Sequence, residues 1–127
     1  MENIDNQTLF VLEAAALTHD IGIHLCEEKY SNCNGKLQEK EGPKLAEKML
    51  LNLGFDNAVS KRVQYLIAHH HTYDNIDGMD YQILVEADFI VNMYEDNLSY
   101  DAIEIAYNKI FKTGCGKKIC KNMFGLS

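Results

Sequence analysis

Apolar residues recur along the chain at three- and four-residue intervals, with no sustained period-two alternation and a single proline. That spacing predicts helix throughout. Asp5 or Asn6 can cap a first helix, on which Leu9, Leu12, Ala16 and His19 form one stripe. From Cys26 to Glu41 the chain is polar, with Ser31, Asn32, Asn34 and Gly35, and reads as a long connection. Gly42-Pro43 then opens a second helix, because proline is tolerated in a first turn. Leu45, Met49, Leu50 and Leu53 make its apolar face, and Gly54 ends it. Asp56 or Asn57 caps a third helix whose broad apolar face is Val59, Val63, Leu66, Ile67 and His70. Residues 72–78 are turn-rich. A fourth helix begins near Asp80, with Leu84, Ala87, Asp88 and Val91 on one face. Ser99 caps a fifth, whose core side is Ile103, Ala106, Tyr107, Ile110 and Phe111. Gly114 and Gly116 break the chain before a short last helix ending at Phe124. The expected fold is all-α, a bundle of five to six helices in one domain over residues 1–127.

Three polar groups intrude on these apolar faces. His19 ends the stripe of the first helix, Asp88 interrupts that of the fourth, and His70 continues that of the third. A carboxylate or imidazole on a core face is costly without a partner. A divalent ion supplies one, since both groups are good ligands for Zn, Mn, Fe and Ni. Asp20 follows His19 about 100° round the helix, so the pair can flank an ion. His69-His70-His71 places further imidazoles at one helix end. Taken singly, each group has a plain structural role: a core histidine bonded to a carbonyl, a surface carboxylate, an ion pair of Asp88 with Lys61 or Arg62, a helix end suited to positive charge. One ion accounts for all of them together.

Net charge is −7 at 127 residues, which excludes a general nucleic-acid grip. Positive charge for a phosphate ligand must come from a metal and a few lysines. Cys26, Cys33, Cys115 and Cys120 form no CxxC pair and read as reduced thiols. No signal-peptide pattern and no run of the roughly 20 apolar residues that span a bilayer is present. A cytoplasmic protein is expected.

The segments Ala-Leu-Thr-His19-Asp20-Ile-Gly-Ile, Ile-Ala-His69-His70-His71-Thr and Val-Glu-Ala-Asp88 occur in this order, each in a helical context. In that order the chain, from Leu12 through Asn92, resembles the HD-domain superfamily of metal-dependent phosphohydrolases. The resemblance implies an HD-like helical bundle, a divalent ion (Mn, Fe, Ni, Zn or Mg) held by His19, Asp20 and Asp88 with His70 and His71 beside it, and hydrolysis of a nucleotide or another small phosphate ester. It implies Asp20 as the group orienting the attacking water. His70, and less directly His69 or His71, would bind the phosphate or protonate the leaving oxygen. Lys36, Lys40, Lys44 and Lys61 are candidate phosphate ligands. Tyr73 and Asn75 are placed to contact a base or sugar.

Two departures accompany the resemblance. The family's first ligand is a histidine on an earlier helix, and no histidine precedes His19. The histidine that supports a second ion in binuclear members is replaced by Gln38. A domain without its N-terminal helix exposes an apolar stripe, so a homodimer or higher oligomer is expected, with an aggregation-prone chain as the other outcome. The competing reading is a catalytically impaired module that binds metal or nucleotide without turnover. A purely structural bundle, insensitive to chelators, is the third.

Overall fold

The computed structural model describes residues 4–31 and 34–126. Among them are seven helices and no strand: α1 (Asn6–Thr18), α2 (Ile23–Tyr30), α3 (Gly35–Asn52), α4 (Asn57–His69), α5 (Met79–Glu95), α6 (Tyr100–Ile110) and α7 (Gly114–Phe124). Asn32 and Cys33 lie outside the described residues. Cys26, Cys115 and Cys120 are free thiols. No helix among the described residues is long and apolar enough to cross a membrane.

The caps follow the side-chain chemistry. Asp5, Asp56 and Ser99 each accept a backbone N–H of the first turn of α1, α4 and α6, satisfying donors that the helix itself cannot. Gly54 leaves α3 at φ 85°, where a side chain would be strained.

The principal difference from the expected elements lies between Ile23 and Pro43. The polar connection contains α2, and α3 begins at Gly35, so Pro43 is inside a helix rather than at its start. Asn34 caps α3 by accepting the Leu37 N–H at 2.9 Å. Packing overrides the missing proline N–H. A Cβ on Gly42 would lie 2.6 Å from Ile67 Cγ2, and one on Gly22 would lie 3.0 Å from the Gly42 nitrogen. This position is therefore where the start of α2, the middle of α3 and α4 cross closely, not a break. Lys29 of α2 pairs with Glu41 of α3 at 3.1 Å.

α4 is central, packed on α3 and α1, and α5 also packs on α1. The main core is Val11, Ala14 and Ala15 of α1, Ala46 and Leu50 of α3, Val59, Val63, Leu66 and Ile67 of α4, and Tyr81, Leu84 and Val85 of α5. The α4 face is the one its spacing predicts. Other faces are rotated. On α1 the buried side is Val11, Ala14, Ala15 and Thr18, whereas Leu9 and Leu12 line an apolar cleft of about 190 Å³ against Ile83, Ile90 and Ile119. On α3, Met49 and Leu53 are exposed and Glu39, Gly42, Ala46 and Leu50 face inward. On α5, Ala87 and Val91 are exposed, while Glu86 is buried.

A smaller core of Met93, Ile103, Phe111 and Cys120 joins the end of α5 to the α6–α7 hairpin. Gly114 does not break the chain; it opens α7 behind a Thr113 cap. Glu86 fixes this corner. Its Oε2 accepts the N–H groups of Lys112 and Thr113 at 2.8 and 3.0 Å, and its Oε1 accepts the Thr113 hydroxyl at 2.6 Å.

Candidate metal centre

His19 follows the last residue of α1, with its backbone N–H still bonded to the Ala15 carbonyl. Its ring Nδ1–H donates to the Ala16 carbonyl at 2.9 Å. That commitment turns Nε2 outward. Nε2 meets Asp20 Oδ2 at 3.3 Å and Asp88 Oδ1 at 3.3 Å. Two carboxylates thus converge on one ring nitrogen. Such a cluster needs positive charge at its centre, supplied by a proton on Nε2 or by a cation that takes its lone pair. Burial disfavours the imidazolium, but the Asp88 hydrogen bond and the charges of Asp20 and Asp88 outweigh it and raise the His19 pKa. Burial likewise opposes ionisation of Asp88, yet the His19 hydrogen bond, with the charges of His19, His70 and His71, lowers its pKa.

Asp88 is oriented from its own helix. Asn92, one turn on, donates to Oδ2 at 3.2 Å and leaves Oδ1 to His19. The opposite side of the carboxylate faces the histidine turn, with His71 Nδ1 at 4.0 Å from Oδ2. His70 has no solvent exposure. Its Nδ1–H donates to the Ile67 carbonyl at 2.7 Å. Burial first, then the neighbouring charges of His71 and His19, push its pKa down to about 4. It is neutral at pH 7. Nε2 of His70 and of His71 lie 3.4 and 3.1 Å from the Gln38 amide oxygen.

Two ligand groups result, sharing one carboxylate. His19, Asp20 and Asp88 form one, and His70, His71 and Asp88 the other; within each, the ligand atoms lie within 4.8 Å of one another. Imidazole nitrogen with carboxylate oxygen suits Zn, Mn, Fe or Ni. The fixed Nδ1 tautomer of His19 is the arrangement that ligating histidines adopt. The donor set therefore fits a divalent ion. Asp20, about half exposed, forms the open side.

His69 is not part of either group. The helix ends at His69, and its ring packs on Tyr65 with centroids 4.4 Å apart. His70 and His71 lie in the turn beyond, so these consecutive rings come within 4.0 Å of each other on the site side. Tyr73 leans on Phe89 at 4.8 Å and brings its hydroxyl 3.4 Å from His71 Nδ1. Burial and the charges of Asp88 and Glu39 push that phenol up to about 12, so it stays a donor. Asn75 is exposed in the left-handed region at φ 59°. Of the four lysines, Lys36 is tied to the rim, donating to Glu39 at 3.0 Å and Thr72 at 2.9 Å.

Glu39 is the site residue that pattern reading passes over. Its Oε2 accepts the His71 N–H at 3.0 Å and the Thr72 hydroxyl at 2.8 Å, anchoring the histidine turn to α3. The available signal is its place on the stripe Glu39, Gly42, Ala46 and Leu50, a carboxylate continuing a row of buried residues at helical spacing. Comparison with protein-family profiles, with characterised proteins and with solved structures returned no match.

Proposed function

We propose that the chain is a metal-dependent phosphohydrolase of HD-domain type, acting on a nucleotide or another small phosphate ester. The observation carrying this reading is the convergence of Asp20 and Asp88 on a His19 Nε2 whose ring partner is already committed to a carbonyl. An ion there supplies acidified water and draws charge from a phosphoryl oxygen.

The chain's own groups take the remaining roles. His19 and Asp88 hold the ion, and Asn92 keeps Asp88 aimed. Asp20, open to solvent, accepts from and orients the attacking water. His70 is held neutral and suits a ligand or an uncharged hydrogen-bonding partner better than a phosphate-binding cation. His71 and the Tyr73 hydroxyl, 3.4 Å apart, are the donors for the leaving oxygen. Lys36 offers charge to the phosphate at the rim. At −7 overall, an extended nucleic acid is not the substrate proposed.

A second reading, an ion- or nucleotide-binding module without turnover, draws support from the Gln38 amide lying against both His70 and His71. Elemental analysis of untagged protein separates these readings, alongside His19→Ala and Asp88→Ala. Near-stoichiometric Mn, Fe, Ni, Zn or Mg that vanishes in both variants supports the centre. Turnover of nucleoside monophosphates or a generic phosphodiester then supports the enzyme over the module. Parent protein that takes up no ion even after reconstitution overturns the enzyme and the ion-binding module.

A further inference from the structure

His70 and His71 occupy the corner of a tight turn. Thr72 N–H donates to the His69 carbonyl at 2.8 Å, so the two histidines are the central pair of a four-residue turn that follows α4. Histidines carry little turn preference of their own. The direction in which this pair points is therefore set by what packs around it, and contacts from two other helices do so.

One contact comes from α5. Tyr81 is buried, and its O–H is shared between the carbonyls of His69, at 2.9 Å, and Thr72. A single phenol thus grips the first and last residues of the turn. Its own N–H donates to Asp80 Oδ1 at 2.8 Å, and Asp80 in turn accepts both Nε–H and Nη2–H of Arg62 from α4. Tyr81 and Asp88 lie seven residues apart, about two turns, and so on the same side of α5. The helix that carries the shared carboxylate also holds the turn that presents imidazoles to it. The other contact comes from α3. A Cβ on Gly35 would lie 2.7 Å from Cγ and 2.9 Å from Cβ of His71. The ring rests against the first residue of α3, and Glu39, one turn on, accepts the His71 N–H at 3.0 Å. The backbone of Gly35 is helical, so no positive φ calls for glycine there. The close approach of His71 does.

We infer that Tyr81 and Gly35 are positioning residues for the ligand group of His70, His71 and Asp88, holding His71 with its Nδ1 4.0 Å from Asp88 Oδ2. Tyr81 sets the direction of the turn, and Gly35 sets how deep the ring lies. A side chain at position 35 has to push His71 aside, since the atoms it meets are the near end of that side chain and not a flexible tip. Loss of the Tyr81 hydroxyl leaves the His69 carbonyl its Thr72 donor but removes the link to α5. The inference rests on the metal-centre reading above and not on turnover.

Histidine ring NMR of the metal-free full chain at one pH, and Co²⁺ titration followed by absorbance, test it in Tyr81→Phe and Gly35→Ala. His71→Ala assigns the His71 signals, and urea midpoints establish that each variant folds. Alanine is the better helix former, so a glycine with a merely local role predicts an unchanged or higher midpoint and unmoved His71 signals in Gly35→Ala. Displaced His71 ring signals are expected in both variants, with Co²⁺ affinity lowered about 10–100-fold. Unmoved His71 signals in a folded variant overturn the role of the residue changed, and displaced signals with parent-like Co²⁺ affinity overturn the link to the ion. A Tyr81→Phe chain that does not fold makes that hydroxyl a fold contact and overturns its part, and Gly35→Ala then decides the rest. A parent that binds no Co²⁺ overturns the metal centre instead, and the metal-free signals still decide whether the two residues hold His71.

Discussion

Asp88 Oδ1 lies 3.3 Å from His19 Nε2, joining the middle of α5 to the end of α1 across the candidate site. The bond raises the His19 pKa and lowers that of Asp88. Asp88→Asn is expected to lower the His19 pKa in metal-free protein and to abolish ion retention. Histidine Cε1–H chemical shifts followed through a pH titration read the first, elemental analysis the second. An unchanged His19 titration would show that the pair does not form in solution. Asn92→Ala keeps the ligand but frees its orientation, and is expected to weaken ion affinity about 10–100-fold.

His70 sets an acid limit on stability. Burial, helped by the charges of His71 and His19, takes its folded pKa to about 4, below the ordinary 6.5. The unfolded chain therefore takes up this proton first as pH falls. The His70 contribution is complete above 6.5 and is lost as pH falls toward 4. His19 works in the opposite direction: its raised pKa gives stability present below 6.5 and lost as pH rises through the folded value. In His70→Asn the side-chain amide can still donate to the Ile67 carbonyl, but the titration is removed. Urea midpoints of metal-free protein are expected to fall more steeply with acid in the parent than in this variant. Parallel curves would mean that His70 titrates as a free imidazole does.

Gly116 sits against the Glu86 carboxylate. A Cβ there would lie 1.9 Å from Oε1. Alanine is the better helix former by about 1 kcal/mol, but an overpacked site costs about 1–3 kcal/mol, and here it also displaces a carboxylate that four donors hold. Gly116→Ala is expected to be destabilising on balance, read from denaturant unfolding. A stabilised variant would show that Glu86 has room to move.

The all-helical character is legible because α4 repeats its apolar residues cleanly, and His70 ends that repeat in the core as Val59, Val63, Leu66 and Ile67 begin it. The order of His19, Asp20, His70, His71 and Asp88 also points to residues that the chain brings together. What was hidden has one physical cause. Gly42, Pro43, Gly114 and Gly116 carry weak local preference for helix, yet Gly42 meets Ile67 and Gly116 meets Glu86 in contacts that only the assembled bundle creates. Reading those residues as breaks concealed the first two turns of α3, and with them Glu39. The rotated faces of α1 and α5 have a related origin, since α1 divides its apolar residues between the core and a cleft.

Glu86 and Asp88 lie two residues apart on α5 and, at about 100° per residue, on nearly opposite sides of it. One carboxylate receives the N-terminal cap region of α7; the other faces the imidazoles. Cutting the chain after Ile110 would strip Glu86 of the Lys112 and Thr113 donors, leave it only the Gln82 amide, and uncover this side of α5 within a single turn of Asp88. The α6–α7 hairpin is thus no detachable appendage: a minimal version of this site has to keep it.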